Sequence, residues 1–266
     1  NIVKNTHDVK GFLDSDQAKW GTTFNSIPIV GGADVTPELD YEEIIIASLT
    51  GMKVIRDQLL KWGVPYERIN VEYVVVQVEA RLNFLRDFAS INIGDVGELA
   101  VAEGGVFQGD FAKVINECFP DSTIYLFDTF DGFDAQDVDV DKTRGYSDTY
   151  AGRLNDTSAD LVMSKLPHPE KAIIRKGFFP ETAKGLEDQK FFFVNLDFDL
   201  YQPILEGLRF FYPRLSGGGV LLIHDYFSLE FLGVAQAVKD FEEEIGHKLV
   251  KLPIGDHCSL AIMKPC

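Results

Sequence analysis

The stretch VNLDFDLYQPI, Val194 to Ile204, sets Asp197 and Asp199 on alternate residues at the end of an apolar run. Further on, GGGVLLIHDYF, Gly217 to Phe227, ends a second apolar run in His224-Asp225. A period of two puts Asp197 and Asp199 on one face of an extended chain. If the two runs are neighbouring strands, their ends bring Asp197, Asp199, His224 and Asp225 together. Three carboxylates and an imidazole, with no lysine or arginine expected among them, repel one another. A hard divalent cation or a shared proton relieves that repulsion. Such a group is suited to removing a proton from a substrate, with or without a metal. The bland alternative is that each side chain caps the turn that follows. Two polar pairs on adjacent strand ends favour a site.

The elements that must position these residues alternate regularly from about Leu99. LAVAEGG reads as a strand entering a glycine turn and GDFAKVINECF as a helix. STIYLFD, KAIIRKG and KFFFVNLDF read as further strands, QPILEGLRFFYPRL as a helix and GGVLLIHDY as a fifth strand. GVAQAVKDFEEEIG is a helix, and HKLVKLP with CSLAIMK forms an antiparallel closing pair. This pattern predicts an α/β fold, a parallel sheet with helices on both faces. Ligands of such sheets lie beyond the carboxyl ends of the strands, near the point where strand order reverses.

Two further features fall there. The first strand ends in AEGGVFQGD, where Gly104, Gly105 and Gly109 let the backbone turn sharply and approach a ligand. The spacing is not GxGxxG, so the dinucleotide fingerprint is not met. Asp128, ending YLFD, is placed to accept from a ribose diol, to cap the next turn, or to do both. Residues 131–158 are polar, acidic and long for a connection, which suits a lid or binding loop as well as a solvated excursion.

The amino-terminal part reads strand-helix-strand over residues 27–78: IPIVGG and YEEIIIAS, the helical GMKVIRDQLLKWGV, then ERINVEYVVV. Ile44 to Ala47 suits a parallel strand. In the helix, Val54, Ile55, Leu59, Leu60 and Trp62 are expected on one buried face, with Gly63 as the C-terminal cap. Glu79 to Asn92 reads as a helix on Leu82, Leu85 and Phe88. The expected division is a module over 1–78, a linking helix over 79–95 and the main domain over 96–266.

A net charge of −17 and the lack of a basic cluster weigh against nucleic acid as a partner. No apolar run is long enough to span a membrane. Cys118, Cys258 and Cys266 make neither a disulfide framework nor a CxxC, so a reducing, cytoplasmic setting is expected. The chain begins at Asn1 rather than Met and lacks a secretory signal pattern, and a truncation or processing point there is expected.

The ordered motifs VAEGGVFQGD, YLFDTFDGF, GFFPET, NLDFDLYQPILEGLRFFYPRLSGGGVLLIHDY and GVAQAVKDF resemble the macrocin O-methyltransferase (TylF-like) family. The resemblance runs from about Val96 to Met263. It implies a class I methyltransferase, Rossmann-like seven-stranded sheet of order 3-2-1-4-5-7-6 with strand 7 antiparallel, beside a smaller α/β amino-terminal module. In that order strands 4 and 5 are neighbours. The resemblance also implies S-adenosylmethionine as cofactor. Glu103, Gly104, Gly105 and Gly109 would surround its methionine end, Asp128 its ribose, and Gly177 and Phe178 its adenine. Asp197, Asp199 and Asp225 match acidic positions that bind Mg2+ or act as base. Phe107 stands where the broader methyltransferase motif has its middle glycine, as in this family. His224 stands where members with the metal site commonly carry Asp, so either the metal is held differently, with His224 as base or fourth ligand, or His224 takes the proton and no metal is needed. The segment from Val9 to Ile69 resembles the later part of a Rossmann-like module of polysaccharide and sugar-nucleotide proteins, without the first strand and glycine loop. A docking or scaffold role is expected for it.

The expected function is O-methylation of a hydroxyl on a sugar, a glycosylated natural product or a surface-polysaccharide precursor. Asp197, Asp199 and His224 would be catalytic and the 131–158 segment would close over the reactants. The partner is a small sugar-containing acceptor, and a homo-oligomer is left open. The rivals are a nucleotide-linked oxidoreductase, disfavoured by the glycine spacing, and a non-catalytic sugar-nucleotide binding or assembly protein.

Overall fold

A computed structural model describes residues 7–48, 51–92, 96–97 and 99–266. The chain forms two compact units, residues 1–78 and 79–266. In the first, β1 (Phe12–Leu13) pairs in parallel with β3 (Ile27–Gly31), which pairs antiparallel with β2 (Thr23–Phe24). A separate parallel pair joins β4 (Ile44–Ile45) to β5 (Ile69–Asn70). Helix α1 (Met52–Lys61) buries Leu59 against Ile46 and Val64, with Met52 and Ile55 alongside. Those positions follow i, i+3, i+7, the stripe a 3.6-residue period selects. Val54, Leu60 and Trp62, expected on the same face, fall off that stripe and are exposed. Gly63 closes the helix at φ +83°, its N–H donating to the Leu60 carbonyl.

The expected strand over VEYVVV is instead helical. Helix α2 spans Glu72–Ile91 and includes Val74, Val75 and Val76. Three consecutive β-branched residues suggest a strand, but Asn70 accepts the Glu72 N–H on Oδ1 and starts the helix. The boundary between the two units falls inside this helix, and residues 93–95 of the expected linking helix lie outside the described residues.

The second unit is a seven-stranded sheet. In chain order come β6 (Ala100–Gly104), α3 (Asp110–Cys118), β7 (Ile124–Asp128), α4 (Ala135–Arg144), α5 (Ala159–Lys165), β8 (Ala172–Lys176) and β9 (Phe191–Leu196). They are followed by α6 (Tyr201–Phe211), β10 (Leu215–Ile223), α7 (Leu232–Ile245), β11 (Val250–Pro253) and β12 (Leu260–Met263). The spatial order is β11-β12-β10-β9-β6-β7-β8, with β12 antiparallel to both its neighbours and the other pairings parallel. Numbered within the sheet, this is the expected 3-2-1-4-5-7-6.

Continuous apolar runs are what a sheet covered on both faces requires. Along β10, Leu221 and Ile223 join the layer of α6 and α7, while Val220 and Leu222 join the opposite layer, where Leu85, Ile115 and Val162 sit. Phe127, Phe191, Phe193 and Phe211 are fully buried among them. Each contributes on the order of 2–3 kcal/mol by leaving water.

Segment 131–158, open to two readings in sequence, is organised. It contains α4, capped by Asp134 accepting from the Gln136 N–H, and it returns on itself through Phe133 and Arg153. Asp141 in α4 is buried and accepts from the Tyr201 N–H, the first residue of α6. An acidic side chain thereby caps a helix that has no capping side chain of its own.

Candidate active site

Three central strands stop level. Gly104 of β6 and Ile223 of β10 both pair with Leu196 of β9. The ladder runs one step further on each side: Asp197 N–H donates to the Gly104 carbonyl at 2.7 Å and His224 N–H to the Leu196 carbonyl at 2.9 Å. Asp197 and His224 are therefore adjacent, and Nδ1 of His224 lies 2.9 Å from Asp197 Oδ1 and 2.6 Å from Asp225 Oδ2. Asp199 completes the group, its carboxyl within 4.8 Å of those of Asp197 and Asp225. Phe198, between the two aspartates, turns its ring onto Gly104 and Phe179. The structure thus brings together all four residues of the opening pairs, with donor atoms within 4.8 Å of one another.

The expectation that no cation stands among the carboxylates is overturned. Arg81, on α2, donates from Nη2 to Asp197 Oδ2 at 2.8 Å and to Asn195 Oδ1 at 3.0 Å. Its guanidinium also lies over the Phe111 ring at 4.1 Å. Asn195 in turn donates to Glu103 Oε1 at 2.9 Å, across β9 and β6, whose residues 195 and 103 are in register. A sequence signal for Arg81 existed: with Leu85 and Phe88 it forms an i, i+4, i+7 stripe whose other members are buried. An arginine on a buried stripe needs a buried acid.

The charges follow from these contacts. Burial opposes ionisation of Asp197, but His224 and Arg81 outweigh it and hold its carboxyl well below the usual range. Burial, then the Asp225 and Asp197 charges, push Asp199 well above it. Burial and Arg81 disfavour the imidazolium of His224, yet the carboxylates of Asp197 and Asp225 raise its pKa well above the ordinary value. Burial and Asp197 also push Glu103 up, and its Oε2 is buried with no hydrogen-bond partner among the described residues. Arg81 and His224 then offset Asp197 and Asp225, while Asp199 keeps its proton.

A third strand end contributes Cys258. Leu260 of β12 pairs with Ile223, and Asp256 Oδ1 accepts the N–H groups of Cys258 and Ser259, holding the preceding turn. Cys258 Sγ lies 3.4 Å from Asp225 Oδ1. Asp199, Asp225 and His257 all have left-handed backbone, at φ 63°, 55° and 60°. Such conformations cluster where side chains are aimed for function.

The residues expected to hold a cofactor surround the neighbouring strand ends. Gly105 has φ +79°, and a Cβ there would lie 2.0 Å from the Asp197 carbonyl oxygen. Phe107 takes φ 49°, the conformation that the missing middle glycine would supply freely. Gly109, at φ 79°, starts α3. Asp128 closes the turn rather than standing free: Oδ2 accepts from the N–H groups of Val106 and Phe107 at 2.7 and 2.9 Å, and Oδ1 from Phe130. The Asp128 carbonyl accepts from Gly177 N–H at 2.9 Å. Between these turns lies an open depression of about 290 Å³, lined by Thr129, Phe133, Lys176, Gly177 and Phe178. A second, of about 380 Å³, is lined by Tyr146, Thr149, Tyr150, Arg153, Leu229 and Glu230. Arg153 pairs with Glu230 and feels the charge of Asp199. Thr157 donates its hydroxyl to the Phe107 carbonyl, tying segment 131–158 to the glycine turn.

The family model described as macrocin-O-methyltransferase (TylF) matches residues 75–255. A relative from Streptomyces olivaceus, 8-demethyl-8-(2,3-dimethoxy-alpha-L-rhamnosyl)-tetracenomycin-C 4'-O-methyltransferase, is 26% identical over 141 residues. The match covers 50% of this chain and 53% of the relative, so the chain spans about half the length of the curated relative it matches. The O-methyltransferase NovP is similar in structure, with a TM-score of 0.58 and 19% identity over 70% of this chain and 80% of its own. CalS11, a calicheamicin methyltransferase, has a TM-score of 0.55 and 19% identity over 80% of this chain and 91% of its own. At these identities the two structures establish a shared fold.

Proposed function

From the premise that this chain belongs to the macrocin-O-methyltransferase (TylF) family, we propose that it methylates a hydroxyl of a sugar, using S-adenosylmethionine. The acceptor is a glycosylated natural product or a surface-polysaccharide precursor; the relative from Streptomyces olivaceus carries a rhamnosyl group in its substrate name. The observation that carries the reading is the meeting of Asp197, Asp199, His224 and Asp225 beside a glycine turn, at level strand ends.

When bound, S-adenosylmethionine supplies a methyl group on a sulfonium, an electrophile whose transfer depends on in-line positioning. Glu103 and the glycines 104, 105 and 109 would hold its methionine end, Asp128 its ribose, and Gly177 with Phe178 its adenine. The fit is supported by the buried Oε2 of Glu103, which has no hydrogen-bond partner among the described residues, and by the depression against Gly177 and Phe178.

The acceptor hydroxyl must lose its proton as it attacks. Asp197 and Asp225 hold His224 as the imidazolium, so it acts as base only after its Nε2 proton has left; Nδ1–H then still donates to Asp197 and Asp225 and Nε2 is the ring's acceptor. A carboxylate holds a catalytic imidazole in its productive tautomer in the same manner. Asp199 and Asp225 share a proton and accept hydrogen bonds from neighbouring sugar hydroxyls. A divalent cation held by Asp197, Asp199 and Asp225, with Mg2+ the family's expectation, would orient vicinal hydroxyls and lower their pKa. The depression beside Tyr150, Arg153 and Leu229 would take the body of the acceptor.

The test is calorimetric titration with S-adenosylhomocysteine, followed by labelled-methyl transfer to a panel of nucleotide sugars and glycosides. Absence of binding at millimolar ligand would refute the reading.

A further inference from the structure

The cation expected at the carboxylates would be magnesium, a hard ion that takes oxygen ligands. The side chains around Asp225 are of another kind. Its Oδ2 faces the imidazole nitrogen of His224 at 2.6 Å and its Oδ1 faces the thiol of Cys258 at 3.4 Å. The ligand atoms of His224 and Cys258 also lie within 4.8 Å of each other. His224, Asp225 and Cys258 form a nitrogen, oxygen and sulfur donor set that overlaps the carboxylate group and shares His224 and Asp225 with it. We infer that this centre is a mixed-donor metal site which takes a borderline transition ion, of the Zn2+ or Co2+ class, in preference to Mg2+.

The reasoning is one of donor chemistry. Imidazole and thiolate bind Zn2+ and Co2+ far better than they bind Mg2+, whereas an all-carboxylate site discriminates little against hard ions. His224 offers nitrogen where an all-oxygen site would need a further carboxylate. Cys258 then adds a soft ligand, from a strand end whose turn is fixed by Asp256. Arg81 already engages Oδ2 of Asp197, which further lowers the negative charge available to a hard cation. On binding, the His224 imidazolium loses its Nδ1 proton and keeps Nε2–H, Cys258 loses its Sγ proton, both protons leave to solvent, and no electron transfer is involved. The inference rests on the reading of the carboxylate group as a cation site, and its test is separate from that of methyl transfer.

The full chain, stripped with a chelator, is titrated with Co2+ and followed by absorption. Binding is expected to produce a thiolate-to-cobalt charge-transfer band in the near ultraviolet. Excess Mg2+ should fail to displace the ion, and Zn2+ should displace it. Cys258→Ser should abolish the band and weaken Co2+ at least ~10-fold, the scale on which metal-site partners act, with Mg2+ affinity unchanged. His224→Asp, which supplies an oxygen ligand in place of nitrogen, should shift preference toward Mg2+. Co2+ binding without the band, equal competition by Mg2+, or no binding of any ion would each overturn the inference. S-Adenosylhomocysteine affinity is measured on the same sample. Its loss would refute the methyltransferase reading, while the cobalt spectrum still reports on the metal site.

Discussion

Arg81 and Asp197, 116 residues apart in the chain, are joined by a 2.8 Å ion pair in the candidate active site. The arginine comes from a helix that precedes the sheet, the aspartate from the end of a central strand. Arg81 also sets the position of Asn195, and through it of Glu103. Asp197 therefore works with its charge already compensated on one side, and its other oxygen is left for His224.

Arg81→Met is expected to destabilise the protein by about 3 kcal/mol, because it leaves the Asp197 carboxylate largely buried without its partner. In the double variant with Asp197→Asn, part of that loss should return, since the uncompensated charge is gone. Urea denaturation of the two single variants and the double variant measures the coupling. Strict additivity would show that the pair contributes nothing.

Asp197→Asn alone should reduce methyl transfer by roughly 10²–10⁴-fold, the range of a lost acid-base arrangement, and leave S-adenosylhomocysteine affinity within a few-fold of the parent. Single-turnover transfer and calorimetry separate the two effects. A large fall in cofactor affinity with intact transfer would reverse the assigned roles.

Asp137, in α4, is buried, and burial with the nearby Asp134 and Asp141 charges raises its pKa to about 7. The folded state thus holds a proton that the unfolded chain, with an ordinary carboxyl, has released. Stability from this group falls as pH rises from about 4 to about 7, and the full penalty applies above that. Asp137→Asn should be more stable than the parent by about 1–2 kcal/mol at pH 8 and nearly equal to it at pH 4. Thermal melts across that range check the slope, and a parallel pair of curves would contradict it.

Gly105→Ala should cost about 3 kcal/mol or more, since it combines a left-handed backbone with a collision against a carbonyl oxygen. The added Cβ would meet the Asp197 carbonyl at 2.0 Å. Cofactor binding should be lost with it, because the turn must move. Crystallography of the variant would show the displacement, and an unchanged turn with full stability would be the contrary result.

Much of the larger unit was legible from its strands. The runs ending in Gly104, Asp128, Leu196 and Ile223 are apolar on both faces, a pattern that a covered parallel strand produces directly. The meeting of Asp197 with His224 followed from strand adjacency, which the family resemblance supplied. Arg81 escaped because its partner is remote in sequence and a lone arginine in a helix ordinarily faces water. Cys258 carried no local signal, since its place depends on the antiparallel register of β12 with β10. Helix α4 was hidden by its acidic composition: Asp137 and Asp141 occupy buried positions where a periodicity search looks for apolar residues. Val74 to Val76 misled in the opposite sense, as β-branched residues in a helix.

The level ending of β6, β9 and β10 has a practical consequence for anyone who would re-engineer this protein. Side chains alternate along a strand, so loss of one residue from β9 would carry Phe198 to the place of Asp197 and turn the carboxylates into the apolar layer. The chemistry is thus indexed to strand length, whereas the rim at 145–153 and 229–232 is not. Libraries aimed at new acceptors belong on that rim, with the three strands and their last paired residues kept as a fixed chassis.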